Sequence, residues 1–348
     1  MFQRKIGLLA LAAGALLVAL LTLVPHPGQE ELVRATPPTC LICGELGGVD
    51  VVLNVILFIP LGLGLGLLGV PWPAAAAACL GASGLVELLQ MKAVAGRDAS
   101  LSDLVTNTAG ALLGVGLSRN WRTLVLPSPR AAAGLATTWG AAWLALAAAT
   151  GAGLRPIPTT ATWYGQWAPE LGHLDRFRGQ VLSARAGDAP LEPGRWDDTP
   201  AWRERLTRPD FSVAATVRTG PAPGHLAPIV SVFDADRREV LLLGQWGDDL
   251  VYRVRMAPAR LRLRNPAVRL TGGLESPPGA EVRLEGGTRG QRYILSSEGP
   301  AGRRSRELPF SPHWTWALLL PYDYALGPEA GLLTALWLFG LLFPLGWW

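Results

Sequence analysis

Charge is nearly absent from both ends of this chain and crowded into its middle. Of the 31 basic and 27 acidic side chains among 348 residues, residues 1–154 hold 15, residues 155–312 hold 41, and residues 313–348 hold only Asp323 and Glu329. Such a chain cannot form one uniform globule. Its uncharged runs reach the thickness of a bilayer and offer no polar face to water. The arrangement points to a membrane protein with a polar domain inserted near its C-terminus. A hydrophobic content of 49% also excludes a disordered chain.

Six stretches qualify as spans: Ile6–Val24, Val51–Val70, Pro73–Gln90, Leu101–Leu117, Ala131–Ala149 and Gly331–Trp347. At about 1.5 Å per residue each approaches the ~30 Å hydrocarbon thickness. A spanning segment must satisfy its own backbone, so these are read as helices. Arg4 and Lys5 precede the first stretch and no small-x-small cleavage site follows it, which favours an uncleaved signal anchor. Placing the N-terminus inside puts Arg4, Lys5, Arg119, Arg122 and Arg130 in the cytoplasm and leaves Arg34, Lys92 and Arg97 outside. Six spans then put both termini in the cytoplasm and residues 151–312 outside the membrane on the extracytoplasmic side. Trp314, Trp316, Tyr322 and Tyr324 before the last span, with Trp347 and Trp348 after it, read as interfacial anchors.

The net charge of +4 does not imply a nucleic-acid partner, because basic residues alternate with acidic ones rather than clustering. Cys40 and Cys43 form a lone C-x-x-C. A disulfide in an oxidising compartment, two free thiols, or a zinc site completed by other ligands are the readings open to that pair.

Polar side chains recur at the outward ends of the second, third and fourth stretches. Asp50 and Asn54 lie on the second, Glu87 and Gln90 on the third, and Asp103 and Asn107 on the fourth, with Arg97 in the loop between the last two. Spacings of three or four residues place each pair on one helical face. Ionisable groups in a bilayer cost about 2.5–3.5 kcal/mol each on insertion scales, so a chain that keeps several at one depth pairs them or uses them. Three roles are open: an ion-pair and amide network around Arg97 that locks the bundle, a site for a polar headgroup, and a catalytic carboxylate at Glu87 or Asp103. Gly110-x-x-x-Gly114 on the same stripe permits close helix contact, and Gly62-x-Gly64-x-Gly66 reads as packing.

The run Asp50-x-x-x-Asn54-x-x-Leu57-Phe58-Ile59-Pro60-Leu61-Gly62, then Glu87-Leu88-Leu89-Gln90, then Arg97-x-x-Ser100-x-x-Asp103-x-x-x-Asn107-x-x-Gly110-x-x-x-Gly114 resembles the VanZ-like family in order and spacing. The resemblance covers about residues 5–150. It implies a small helical membrane domain of the kind named for an accessory protein of glycopeptide resistance, linked to teicoplanin tolerance. Asn54, Glu87, Gln90, Arg97, Asp103 and Asn107 occupy the matching positions. The polar insert before the last span departs from the short members of that family.

The domains are therefore expected as a five-helix membrane domain over 1–150, a linker over 151–169, a β-domain over 170–312, and an amphipathic segment with the sixth helix over 313–348. Strand-sized runs at Phe211–Val217, Pro228–Phe233, Val240–Trp246, Leu250–Arg255, Glu281–Leu284 and Gln291–Ser296, with Asp- and Gly-rich turns between several of them, predict a sandwich of antiparallel sheets. The run around Phe211, Ile229 and Leu242–Val254 is similar to a concanavalin A-like or laminin G-like jelly roll. That resemblance implies carbohydrate binding, with calcium in some members. Trp246 and Tyr252 are the candidates to stack on sugar, with core packing as the alternative. Asp234 and Asp236 are candidate calcium ligands, with turn formation as the alternative. No cofactor is otherwise implied.

The fold class expected is an all-α transmembrane bundle with an extracytoplasmic all-β sandwich. The function expected is non-catalytic binding of an envelope glycan or lipid-linked saccharide. A membrane enzyme acting on a glycolipid or polyprenyl-phosphate substrate through Glu87 and Asp103, and a scaffold for protein partners, are the alternatives.

Overall fold

The computed structural model describes residues 2–25, 39, 42, 44–94, 100–171 and 174–348. Cys40, Cys43 and Arg97 lie outside the described residues. Contacts divide the chain into two units. One comprises Met1–Trp143, Leu261–Leu263 and Leu342–Trp348, and the other Leu144–Arg260 and Arg264–Leu341.

The first unit is helical: α1 (Phe2–Thr22), α2 (Gly47–Leu67), α3 (Trp72–Ala93), α4 (Leu101–Arg119), the short α5 (Trp121–Val125) and most of α6 (Pro129–Gly153). Local chemistry sets the ends. Gly69 takes φ +76°, a conformation that glycine adopts without penalty, and ends α2. Its N–H reaches Gly66 O at 3.0 Å and that of Val70 reaches Leu65 O at 3.1 Å, closing the last turn. Ser100 starts α4 by accepting the Asp103 N–H on its hydroxyl at 3.0 Å.

Glycine decides how these helices meet. A Cβ on Gly62 would lie 1.8 Å from Ala111 O, one on Gly110 2.1 Å from Val55 O, and one on Gly114 2.2 Å from Ile59 O. Backbone therefore touches backbone along α2 and α4. Residue numbers rise together along this contact, so the two helices run parallel. On the other side of α2, a Cβ on Gly14 would lie 2.7 Å from Leu61 N and one on Gly64 2.5 Å from Leu11 N, and here α1 runs antiparallel. The packing role read for the glycines of α2 and α4 is what the contacts show. Val18, Phe58, Leu61, Cys79, Val86 and Ala111 fill the space between.

Among the described residues, five helices are long and apolar enough to cross a membrane: Gln3–Thr22, Gly47–Leu67, Trp72–Ala93, Pro129–Gly153 and Ala330–Trp347. The remaining expected span, 101–117, is a helix but is not in this set. Its Ser102, Asn107, Gly110, Gly114 and Ser118 are buried. α4 thus hides its polar stripe against its neighbours, and its contacts with α2 continue as far as Ser118 beside Gly66.

The second unit holds two sheets. A seven-stranded sheet runs in the order β13-β9-β8-β7-β6-β1-β4, and a six-stranded sheet in the order β12-β11-β10-β5-β2-β3. The strands are β1 (Trp163–Trp167), β2 (Gln180–Ala186), β3 (Ala189–Pro190), β4 (Gly194–Trp196), β5 (Asp210–Arg218), β6 (Ala227–Asp234), β7 (Glu239–Trp246), β8 (Asp249–Val254), β9 (Ala267–Leu270), β10 (Glu281–Arg289), β11 (Arg292–Gly299), β12 (Gly302–Pro309) and β13 (Ala325–Leu326). All pairings are antiparallel except β13 with β9. β5 shows the cause: Phe211, Val213, Ala215 and Val217 are buried while Asp210 and Arg218 are exposed. Tyr252 of β8 meets Tyr293 of β11 edge-on, with ring centroids 6.0 Å apart, across the interior. Tyr293 also donates to Pro266 O at 2.9 Å, and burial pushes both phenols well above the ordinary tyrosine range.

Three expectations need correction here. Residues 151–169 contain β1, which pairs with β4 and β6 inside the larger sheet; Gly165 and Gln166 interrupt its strand-favouring aromatics and hide the signal. Residues after 312 belong partly to the sheets, because β13 extends β9. Trp314 is buried and stacks 6.5 Å from Tyr293, so it serves the sandwich core rather than a membrane interface. Two short helices also punctuate this unit. α7 (Thr199–Leu206) is capped by Asp198, and α8 (Thr315–Leu318) precedes β13.

The last helix, α9 (Ala330–Trp347), begins beside an ionic knot. Glu329 accepts from Arg269 Nη2 at 2.7 Å and from the Tyr324 hydroxyl at 2.9 Å. Burial pushes its carboxyl up, but its own backbone N–H, Arg269 and Tyr324 together outweigh that and hold it below the usual carboxylate range.

Gly62→Leu or Gly110→Leu is expected to destabilise the helical unit by about 1–3 kcal/mol or more, seen as a lower thermal midpoint in detergent. Gly81→Ala, whose added methyl meets no atom within 4 Å, is expected to leave the midpoint unchanged or raised. For Glu329, a depressed folded pKa means that its contribution is present at neutral pH and lost as pH falls through that value. Glu329→Gln is expected to lower the midpoint at pH 7, and the gap to wild type is expected to close only as pH falls below the ordinary glutamate range.

Candidate functional site

The polar residues of the helical unit meet at one end of the bundle. That end is formed by the last turn of α1, the first turns of α2, the last turns of α3 and the first turns of α4. The alternating directions of the four helices bring these segments together.

Asn54 of α2 donates from Nδ2 to Asp103 Oδ1 of α4 at 2.7 Å. Glu87 of α3 accepts the Ser100 N–H on Oε2 at 2.8 Å. The carboxylate thus meets a backbone donor that α4 itself leaves open, at the end where its dipole favours negative charge. Asn107 of α4 donates to Ser83 Oγ of α3 at 3.0 Å, and Gln90 of α3 donates to the Thr22 carbonyl of α1 at 3.0 Å. Every helix from α1 to α4 is therefore cross-linked by a side chain of this cluster.

Burial is graded. Ser83, Glu87, Gln90, Ser100 and Asn107 are buried, Asn54 and Asp103 are half-buried, and Asp50 is exposed in the first turn of α2. Gln90 Oε1 and Asn107 Oδ1 are buried acceptors with no hydrogen-bond partner. Ser83 and Thr22 are members that sequence reasoning missed. Ser83 precedes Glu87 by four residues and Gln90 by seven, so the helical repeat was the available signal. Thr22 contributes only a backbone carbonyl and carries no signal.

In the β-unit the candidates separate. Tyr252 is fully buried in the sandwich interior, so it cannot present its ring to a sugar. Its place is set by register: it lies opposite Leu243, on the face turned toward Tyr293. Trp246 packs against a cluster of Leu226, Leu242, Val251, Ala267 and Ala325. Asp234 Oδ1 accepts the N–H groups of Asp236 at 3.0 Å and Arg238 at 2.8 Å, and Asp236 pairs with the Arg238 guanidinium. Both aspartates are thus engaged in the β6–β7 turn. Among the described residues, no group of three or more His, Cys, Asp or Glu side chains is placed to hold a metal ion.

No curated protein and no solved structure is significantly similar to the chain. The sequence model of the VanZ/LLP1 family matches residues 11–123. That stretch runs from within α1 to within α5 and contains every member of the helical cluster. Over that stretch the N-terminal helical region of this protein is similar to the VanZ/LLP1 family, and the match does not cover the two sheets that follow.

Proposed function

We propose that this is a multi-pass protein of the cell envelope that binds the headgroup of a lipid-linked saccharide without chemically altering it, and that this binding underlies tolerance to glycopeptides of the teicoplanin type. The observation that carries the reading is the convergence of Asn54, Glu87, Gln90, Asp103 and Asn107 from three helices onto one end of an apolar bundle. Polar groups at that depth are costly. Two amide oxygens there lack partners even though the cluster is otherwise cross-linked. Such acceptors are complemented by the hydroxyl donors of a saccharide.

The side of the membrane follows from charge. With Arg4, Lys5, Arg119, Arg122 and Arg130 in the cytoplasm, the clustered end of the bundle faces the outer leaflet and residues 151–312 lie outside. The parallel course of α2 and α4 is what α4 crossing as a span requires. A non-catalytic role is supported by the duties of the carboxylates. Glu87 holds the first turn of α4, and Asp103 joins α4 to α2.

Native nanodiscs of the full chain are expected to retain a saccharide-bearing lipid above its bulk abundance. Asn54→Leu is expected to reduce that retention. Recovery of bulk phospholipids alone from the wild type would refute the reading. Glu87→Gln keeps an acceptor for the Ser100 N–H and is expected to preserve both the thermal midpoint and the bound lipid. Glu87→Ala leaves that N–H unsatisfied and is expected to cost about 1–3 kcal/mol. A change in the mass of the bound lipid that occurs with wild type and stops with Glu87→Gln would establish a catalytic role instead.

A further inference from the structure

Among the described residues the two sheets have four edge strands, and three of them are short. β3, β4 and β13 span two, three and two residues, whereas β12, at the end of the six-stranded sheet, runs for eight. An edge of that length presents a row of backbone donors and acceptors and is a template for another strand.

The phase of β12 is fixed by its end. Phe310 N–H reaches Gln291 O at 2.8 Å, one step past the pair of Pro309 with Arg292. Hydrogen-bonded and non-hydrogen-bonded pairs alternate along an antiparallel ladder. Leu308, Arg306 and Arg304 therefore turn their backbone groups to β11, and Glu307, Ser305 and Arg303 turn theirs away from it. Side chains alternate as well. Those of Arg304 and Arg306 share a face with Tyr293 and bind their own chain. Arg304 holds Glu275 at 2.7 Å, and Arg306 holds the carbonyls of Arg269, Leu326 and Gly327 at 2.8, 3.2 and 2.9 Å. Those of Arg303, Ser305 and Glu307 are exposed on the other face.

Charge alternates across that outer face. Arg283 of β10 lies opposite Glu298 of β11, and Glu298 lies opposite Arg303. The row arrives at the edge on a cation and stops there. Glu307, on the same edge, has a 3.7 Å ion pair with Arg289 in which both side chains are more than half exposed. Along the free edge Arg303, Ser305 and Glu307 read cation, neutral, anion. Rotated by half a turn, the same strand reads anion, neutral, cation.

We propose that β12 pairs antiparallel with β12 of a second copy of this chain, about a two-fold axis at Ser305, and so joins two six-stranded sheets into one. In this register Arg303 stands opposite the partner subunit's Glu307 at two symmetric places, and the alternating row continues from one copy into the next. The outward backbone groups of Arg303, Ser305 and Glu307 form about six hydrogen bonds between the copies, and Pro309, which has no N–H, ends the ladder. A slip of two residues either way sets Arg303 opposite Pro309 or Ser305 and loses both ion pairs. Opposite charges facing each other across strands are favoured and like charges are disfavoured. The edge charges thus turn away unmatched strands and admit this one. The pairing is independent of what the helical cluster binds.

The test uses the full chain in detergent carrying Ser305→Cys. At the two-fold axis of a hydrogen-bonded pair the two Cα atoms lie about 5.5 Å apart, which is within disulfide reach. Mild oxidation is expected to give a covalent dimer whose link peptide mapping assigns to position 305 of both chains. Wild type, which keeps Cys40, Cys43 and Cys79, is the control for links formed elsewhere. Adding Arg303→Glu or Glu307→Arg sets like charges opposite each other and is expected to lower the yield about fivefold or more. Adding both restores opposite charges in exchanged order and is expected to restore the yield. All three positions are exposed, so the thermal midpoint is expected to stay within the small range of surface substitutions. Absence of a 305–305 link would overturn the proposal. So would a yield that the single reversals leave unchanged or that the double exchange fails to restore.

Discussion

Direct backbone contact between α2 and α4 is the constraint on which the helical unit depends. Within lipid, helices gain little by hiding apolar side chains from one another, because hydrocarbon is already apolar. Close packing and interhelical hydrogen bonds must hold them instead. Gly62, Gly110 and Gly114 remove the side chains that would keep the helices apart. At that separation the short side chains of Asn54 and Asp103 can meet at 2.7 Å. With bulkier residues at those glycines, the same two polar groups would face each other across a gap and each would be left in an apolar medium.

The polar cluster in turn specifies how the remaining helices sit. Glu87 binds the open N–H at the start of α4, Asn107 binds Ser83, and Gln90 binds the end of α1. Each bond is possible in only one register, because a slip of one residue turns the side chain by about 100° around the helix. Glycine contact supplies proximity and the polar bonds supply registration. The amide oxygens of Gln90 and Asn107 are the part of this arrangement that registration does not use.

The β-unit is built on a different principle, with alternating strands burying one face in the usual way for a sandwich. Six of its charged side chains gather around the segment that follows the last long strand. Arg253 binds Glu239 through two 2.6 Å hydrogen bonds and also reaches Asp323, which Arg264 engages at 2.6 Å, while Arg269 holds Glu329. These pairs attach residues 323–329 to β8, to β9 and to Arg264 between them, so the chain enters α9 from a tethered position. The sparse charge of residues 313–348 is therefore spent on anchoring: both of its acidic residues are in this network.

Much of this was legible in the linear order of residues. Uncharged runs of bilayer length dictated helices, alternation in Phe211–Val217 dictated a strand, and recurring glycine and polar positions marked the faces that meet, because each of these signals is periodic and local. The linker reading of 151–169 failed because β1 has no alternation of its own; it is a strand only through its pairing with β4 and β6. Of the two readings open for Tyr252, core packing holds; the sequence could not choose because a ring at a strand position suits either face, and register against Leu243 and contact with Tyr293 decide it. The sequence by itself determined the long apolar helices, the six strands with a clear run of their own (β5–β8, β10 and β11) and which helical faces carry polar groups. The tertiary structure alone decided which donor meets which acceptor, that Ser83 and Thr22 join the cluster, and which oxygens are left over, because hydrogen bonds depend on distances of a few tenths of an ångström between segments far apart in the chain.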